Sequence, residues 1–105
     1  MKKTNKAIAM ASLTESRKTI ERLDEQILLL LNKRGMVASR IGEIKKQAGL
    51  PLVDAKRETA VIKHASERNT GPFCDKAIER IFRLIMKESV FIQKRNIKNV
   101  VSRIG

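Results

Sequence analysis

From Ser12 to Ala48 the apolar residues Leu13, Ile20, Leu23, Ile27, Leu30, Val37, Ile41 and Ile44 recur at steps of three and four for most of the stretch, and no proline interrupts them. That spacing predicts one long helix carrying a coiled-coil-like seam. Gly49-Leu50-Pro51 supplies its stop signal. Asp54 has the chemistry of an N-cap for a second helix over residues 55–68, with Glu58 in its first turns where a carboxylate suits the helix dipole. Asn69-Thr70-Gly71-Pro72 reads as a turn. A third helix is expected from Cys74 or Asp75 to at least Arg95, with Ile78, Ile81, Phe82, Ile85 and Ile92 on its apolar stripe. Ile97, Val100, Val101 and Ile104 keep helical spacing beyond it. The pattern therefore predicts an all-α chain of three helices, one very long. Residues 1–11 are expected as a disordered leader, 12–95 as the domain, and 96–105 as a basic, helical C-terminal extension.

The first helix is too long for a small monomer. About 37 residues at ~1.5 Å each make a rod of ~55 Å. A compact domain of this size has a diameter of roughly 33 Å. The overhanging seam would be wet unless a second copy covered it, so a two-fold dimer through the long helices is expected. A helix broken near Gly35 or Gly42 and folded as a monomeric four-helix bundle is the alternative. Each of these glycines costs about 1 kcal/mol inside a helix, and close approach of another helix would give them a purpose.

Three polar residues interrupt these apolar surfaces. Arg34 stands in the seam between Leu30 and Val37, and Ser89 and Gln93 stand on the stripe of the third helix. Polar groups are costly to bury unless something pairs with them, so two helices that both carry them suggest a shared polar cavity. Arg34 and Lys45 are eleven positions apart, within about 20° of one face and ~16 Å apart along the axis. Two long cationic side chains could clasp a small anion between them. Arg17, seventeen positions before Arg34, lies about 100° around the helix; it does not easily join the same cavity within one chain, and in a dimer it could enter the partner's. Ser89 and Gln93 are an i, i+4 pair on one face. Taken singly, each of these residues also fits a solvated surface position.

Composition narrows the classes. The chain has 105 residues and a formal charge of +12. A basic surface, nucleic-acid binding and steering of a small anionic substrate all fit that charge. The basic residues form no dense run, and with three Phe and no Trp or Tyr there is no stacking platform for bases. Nothing approaches the ~20 apolar residues of a membrane span. The single Cys74 excludes an internal disulfide and fits the reducing cytoplasm. With the lone His64 it makes no convincing metal site.

The order and spacing of these residues resemble the all-helical chorismate mutases of the small dimeric type, over roughly Leu13 to Lys94. The resemblance rests on Arg17-x-x-Ile20-x-x-Leu23-Asp24, Leu31-Asn32-Lys33-Arg34, Ile41-Gly42-x-x-Lys45, Pro51-x-x-Asp54-x-x-Arg57-Glu58, Ile81-Phe82 and Glu88-Ser89-x-x-x-Gln93. It implies two intertwined chains of three helices each, two active sites, and conversion of chorismate to prephenate by a unimolecular Claisen rearrangement in aromatic amino acid biosynthesis. No metal, cofactor or covalent intermediate is implied. Carried over by position, Arg34 and the partner chain's Arg17 would grip the substrate carboxylates, which suits the planar guanidinium fork. Lys45 would contact a carboxylate and the ether oxygen, and Gln93 would donate to that oxygen from the other side. Glu58, with the backbone near Arg57, would hold the ring hydroxyl, and Asp54 and Ser89 would complete the shell. Negative charge grows on the ether oxygen as its C–O bond breaks, so donors preset there favour the transition state over the ground state.

Isochorismate-pyruvate lyases share the fold, the arginines and the lysine but look different around the second helix, where Asp54, Arg57 and Glu58 here favour the mutase. A basic nucleic-acid-binding module is the alternative of another class, and it gives no reason for Gln93 on an apolar stripe. The pattern departs at Ser16, where many relatives carry an aliphatic residue. It also leaves the segment after Lys94 unexplained: that segment either extends the third helix or docks another aromatic-pathway enzyme, as in small mutases that work in such complexes.

Overall fold

A computed structural model describes residues 2–95, which form three α-helices and, among the described residues, no strand. Helix α1 spans Lys2–Ala48, α2 spans Ala55–Arg68 and α3 spans Asp75–Lys94. The chain divides into two compact units, Met1–Lys33 and Arg34–Gly105.

In the first unit α1 begins at Lys2, so residues 2–11 are helical rather than the disordered leader expected. The physical reason is local. No glycine or proline occurs before Gly35, and Ala7, Ala9 and Ala11 are among the best helix formers. The seam residues of this unit, Leu13, Ile20, Leu23, Ile27 and Leu30, are all exposed.

The second unit holds the core. Asp54 caps α2 as expected, its Oδ1 accepting from the Arg57 backbone N–H at 3.1 Å. α1 stops at Gly49, whose φ of 68° is the left-handed conformation that favours glycine. The Leu50 N–H then reaches back to the Lys45 carbonyl at 2.8 Å, closing the end of the helix. The Asn69 side chain organises the α2–α3 turn, accepting from the Gly71 N–H and donating to the Phe73 carbonyl and to Asp75. α2 and α3 pack together, burying Ile62 from one and Met86 from the other. α3 ends at Lys94, one residue short of expectation. Arg95 turns extended at ψ 150° and its N–H bonds to the Ile92 carbonyl. The expected basic extension, residues 96–105, lies outside the described residues.

Gly35 and Gly42 do serve close approach, and the approaching helix is α3 of the same chain. A Cβ at Gly42 would stand 2.7 Å from the Gln93 Cα, and one at Gly35 would stand 3.2 Å from the Ile92 Cδ1. Beside them, Ala38 and Ser39 are buried.

Candidate functional site

The close packing of small residues on α1 brings the cationic face of that helix against the polar positions of α3. A cleft of about 300 Å³ lies between the 34–45 segment of α1, the start of α2 and α3. Arg34, Lys45, Asp54, Arg57, Glu58, Ser89 and Gln93 all line it. These are the residues that periodicity and resemblance singled out, with one exception. Arg17 is exposed on α1 in the Met1–Lys33 unit and is not among the lining residues. The walls are apolar: Val37, Ala38, Ile41, Val61, Met86 and Val90.

Two short hydrogen-bond chains order the polar groups. The Ser89 hydroxyl donates to the Ile85 carbonyl at 2.7 Å, so its lone pairs are left to accept from Arg34 Nη1 at 2.8 Å. That contact uses one of five guanidinium donors and leaves the others for a carboxylate. Ser89 is buried while Arg34 is half-buried, so the anchor is dry and the charged fork faces partial solvent. At the other end, Lys45 Nζ donates to the Leu52 carbonyl at 2.8 Å and to Gln93 Oε1 at 3.3 Å. An ammonium can only donate, so it must meet the carbonyl end of the amide. The Gln93 NH₂, a neutral donor, has no partner among the described residues. The Leu52 and Ile85 carbonyls are polar partners that sequence reasoning missed; a main-chain oxygen is specified by the backbone path and has no residue-type signature.

The cations Arg34, Lys45 and Arg57 share this lining with the carboxylates of Asp54 and Glu58. The Asp54 carboxylate is partly committed to the α2 cap, which leaves the cationic groups dominant. Among the described residues, no group of three or more His, Cys, Asp or Glu could hold a metal ion. Preset donors around an apolar-walled cleft, with a cationic excess, define a small all-helical protein whose cleft has the chemistry to accept a compact anion.

Comparison with known proteins gives that class its family. Residues 16–94 match the family model of chorismate mutase type II. The chain is 39% identical over 90 residues to a bifunctional chorismate mutase/prephenate dehydratase of Aquifex aeolicus, covering 82% of this chain and 25% of that one. It is 28% identical to the chorismate mutase of Methanocaldococcus jannaschii, covering 87% of this chain and 93% of that protein. The structure of chorismate mutase (form II) from Thermus thermophilus superposes with a TM-score of 0.78 at 34% identity, over 80% of this chain and 96% of that one. The chain spans about a quarter of the length of the bifunctional relatives it matches. It belongs to the chorismate mutase type II family and carries an all-helical chorismate mutase domain.

Proposed function

We propose that this chain converts chorismate to prephenate. The observation that carries the proposal is the pair of donors at one end of the cleft, the Lys45 ammonium and the Gln93 amide, joined at 3.3 Å with the amide NH₂ unpartnered among the described residues. Both groups can meet one substrate oxygen, and both gain strength as negative charge develops on the ether oxygen. At the other end Arg34, held by Ser89, clamps a carboxylate and favours the folded, reactive conformer of the substrate. Arg57, Asp54 and Glu58 take the ring hydroxyl side. The step is an intramolecular rearrangement of bonds: one C–O bond breaks, one C–C bond forms, and no proton or external electron pair is transferred. The protein therefore contributes placement and charge stabilisation.

A dianionic substrate needs more positive charge than this lining offers. Arg17 from a second copy would supply it, and the exposed seam Leu13, Ile20, Leu23, Ile27 and Leu30 supports an intertwined homodimer as the assembly that delivers it. Mixed dimers of an Arg17→Ala chain with a Lys45→Ala chain should regain one working site in two; no recovery refutes the shared site. No helix among the described residues is long and apolar enough to cross a membrane. A cytoplasmic setting suits the exposed free thiol of Cys74.

The test is direct. Purified protein is mixed with chorismate without added metal, and the product is identified. Prephenate supports the reading. A folded dimer that leaves chorismate intact refutes it, and pyruvate release from isochorismate would reassign the cleft to lyase chemistry.

A further inference from the structure

Gln93 reaches the cleft from α3, and Lys45 reaches it from α1. Their 3.3 Å contact needs the two helix backbones at a set separation, because a glutamine side chain has little length to spare. One residue sets that separation. A Cβ built on Gly42 would stand 2.7 Å from the Gln93 Cα, 2.8 Å from its Cβ and 2.8 Å from its carbonyl oxygen. Real Cβ atoms do not approach backbone that closely, and backbone cannot swing aside as a side-chain tip can. Gly42 is buried and lies within the helix, where its φ is ordinary for any residue; glycine there otherwise costs stability relative to alanine. What only glycine offers at this position is the missing methyl. Gly35 makes the useful contrast. Its added Cβ would meet only the Ile92 Cδ1, the far end of a flexible side chain, at 3.2 Å.

We infer that Gly42 is a positioning residue for the reaction: it is the notch in which the Gln93 backbone sits, and it sets where the Gln93 amide stands relative to Lys45. Gly42 and Lys45 are one helical turn apart on α1, so one short segment holds both ends of Gln93, the backbone by contact and the amide by hydrogen bond. A methyl at position 42 pushes α3 outward at Gln93 and withdraws the amide from the ether oxygen. The inference rests on the mutase reading for its assay.

The test is a double-mutant cycle in the full chain with chorismate as substrate. Gly42→Ala should lower kcat by about 10–100-fold, the loss a misplacement of about 1 Å produces, with KM changed by less than about 3-fold. Gly35→Ala should stay within about 2-fold of wild type. In a Gln93→Ala background the backbone clash persists but no amide remains to be misplaced. There Gly42→Ala should change kcat by less than about 3-fold, whereas general loosening of the fold would carry the same factor in both backgrounds. Equal factors in the two backgrounds, or Gly42→Ala within 2-fold of wild type, overturn the inference while leaving an active enzyme and the functional reading intact. An inert wild-type chain refutes the reading, and the inference with it. If Gly42→Ala is unfolded by circular dichroism, the cycle is run in trimethylamine oxide, which favours burial. A chain still unfolded there shows that the notch serves the fold as a whole, which also overturns the inference.

Discussion

Ser89→Ala isolates the support of Arg34 from Arg34 itself. The Ser89 hydroxyl is locked by donation to the Ile85 carbonyl at 2.7 Å and presents its lone pairs to Arg34 Nη1 at 2.8 Å. A hydrogen bond to a charged group contributes about 1.5–3 kcal/mol. Arg34 is only half-buried, so water can replace part of what is lost, and about 1–2 kcal/mol is the reasonable share. At 1.36 kcal/mol per tenfold that is a fall of roughly 5–30-fold in kcat/KM. The fall should come from both parameters, because a guanidinium that wanders binds the carboxylate less well and holds the reactive conformer less often.

Stability should barely change. The Ile85 carbonyl keeps its helical partner, and alanine fills nearly the same space. Steady-state kinetics with chorismate and a thermal melt suffice as assays. An Arg34→Ala background supplies the control: there Ser89→Ala should add less than about 2-fold, since residues sharing one contact are not additive. Wild-type kinetics for Ser89→Ala, or the same loss with Arg34 absent, would refute the idea that Ser89 works by holding Arg34.

Arg34→Ala and Lys45→Ala should each lower kcat/KM by at least about 10³-fold with helicity unchanged by circular dichroism, since the first loses the carboxylate clamp on the reactive conformer and the second the stabilisation of charge on the ether oxygen. Gln93 donates as a neutral amide and has no proton to lose, so kcat should show no steep decline between pH 5 and pH 8; a decline of tenfold or more traced to position 93 contradicts its role. Ser39 is buried and its hydroxyl has no partner among the described residues, so Ser39→Ala should raise the melting temperature by a few degrees, about 1 kcal/mol; a lower one means the hydroxyl has a partner. Ile27→Glu would place a charge twice in the proposed two-fold interface, and sedimentation should find a monomer with little mutase activity; a fully active monomer refutes the shared site.

Periodicity read the cleft well because it converts sequence spacing into angle. Arg34 and Lys45 share a face by arithmetic alone, and Ser89 and Gln93 stand out because their neighbours on the stripe are apolar. Helix α2 was legible to the residue, since Asp54 is a capping group followed by an uninterrupted run. The start of α1 was not, because lysines and a short apolar run resemble a frayed tail while their propensities still favour helix. The Leu52 carbonyl had no signal at all. The glycines carried half of theirs: Gly35 and Gly42 announced that something approaches, but spacing cannot tell a helix of the same chain from one of another.

The 34–45 segment explains why these features occur together. Arg34, Ala38, Ile41 and Lys45 fall within about 60° of one another around the helix, and all four line the cleft. Gly35, Ser39 and Gly42 fall about 100° away, and the two glycines are where α3 makes its close approach. One face is long and cationic, the other nearly bare. Their functions are coupled, since the depth to which α3 sinks into the bare face decides whether Ser89 and Gln93 come within reach of the cations. A bulkier packing face would leave every polar residue of the site present in the sequence but part Arg34 from Ser89 and Lys45 from Gln93. Placement to within a few tenths of an ångström is what a reaction without proton transfer or covalent help asks of a protein, and here that placement is set by side chains too small to touch the substrate.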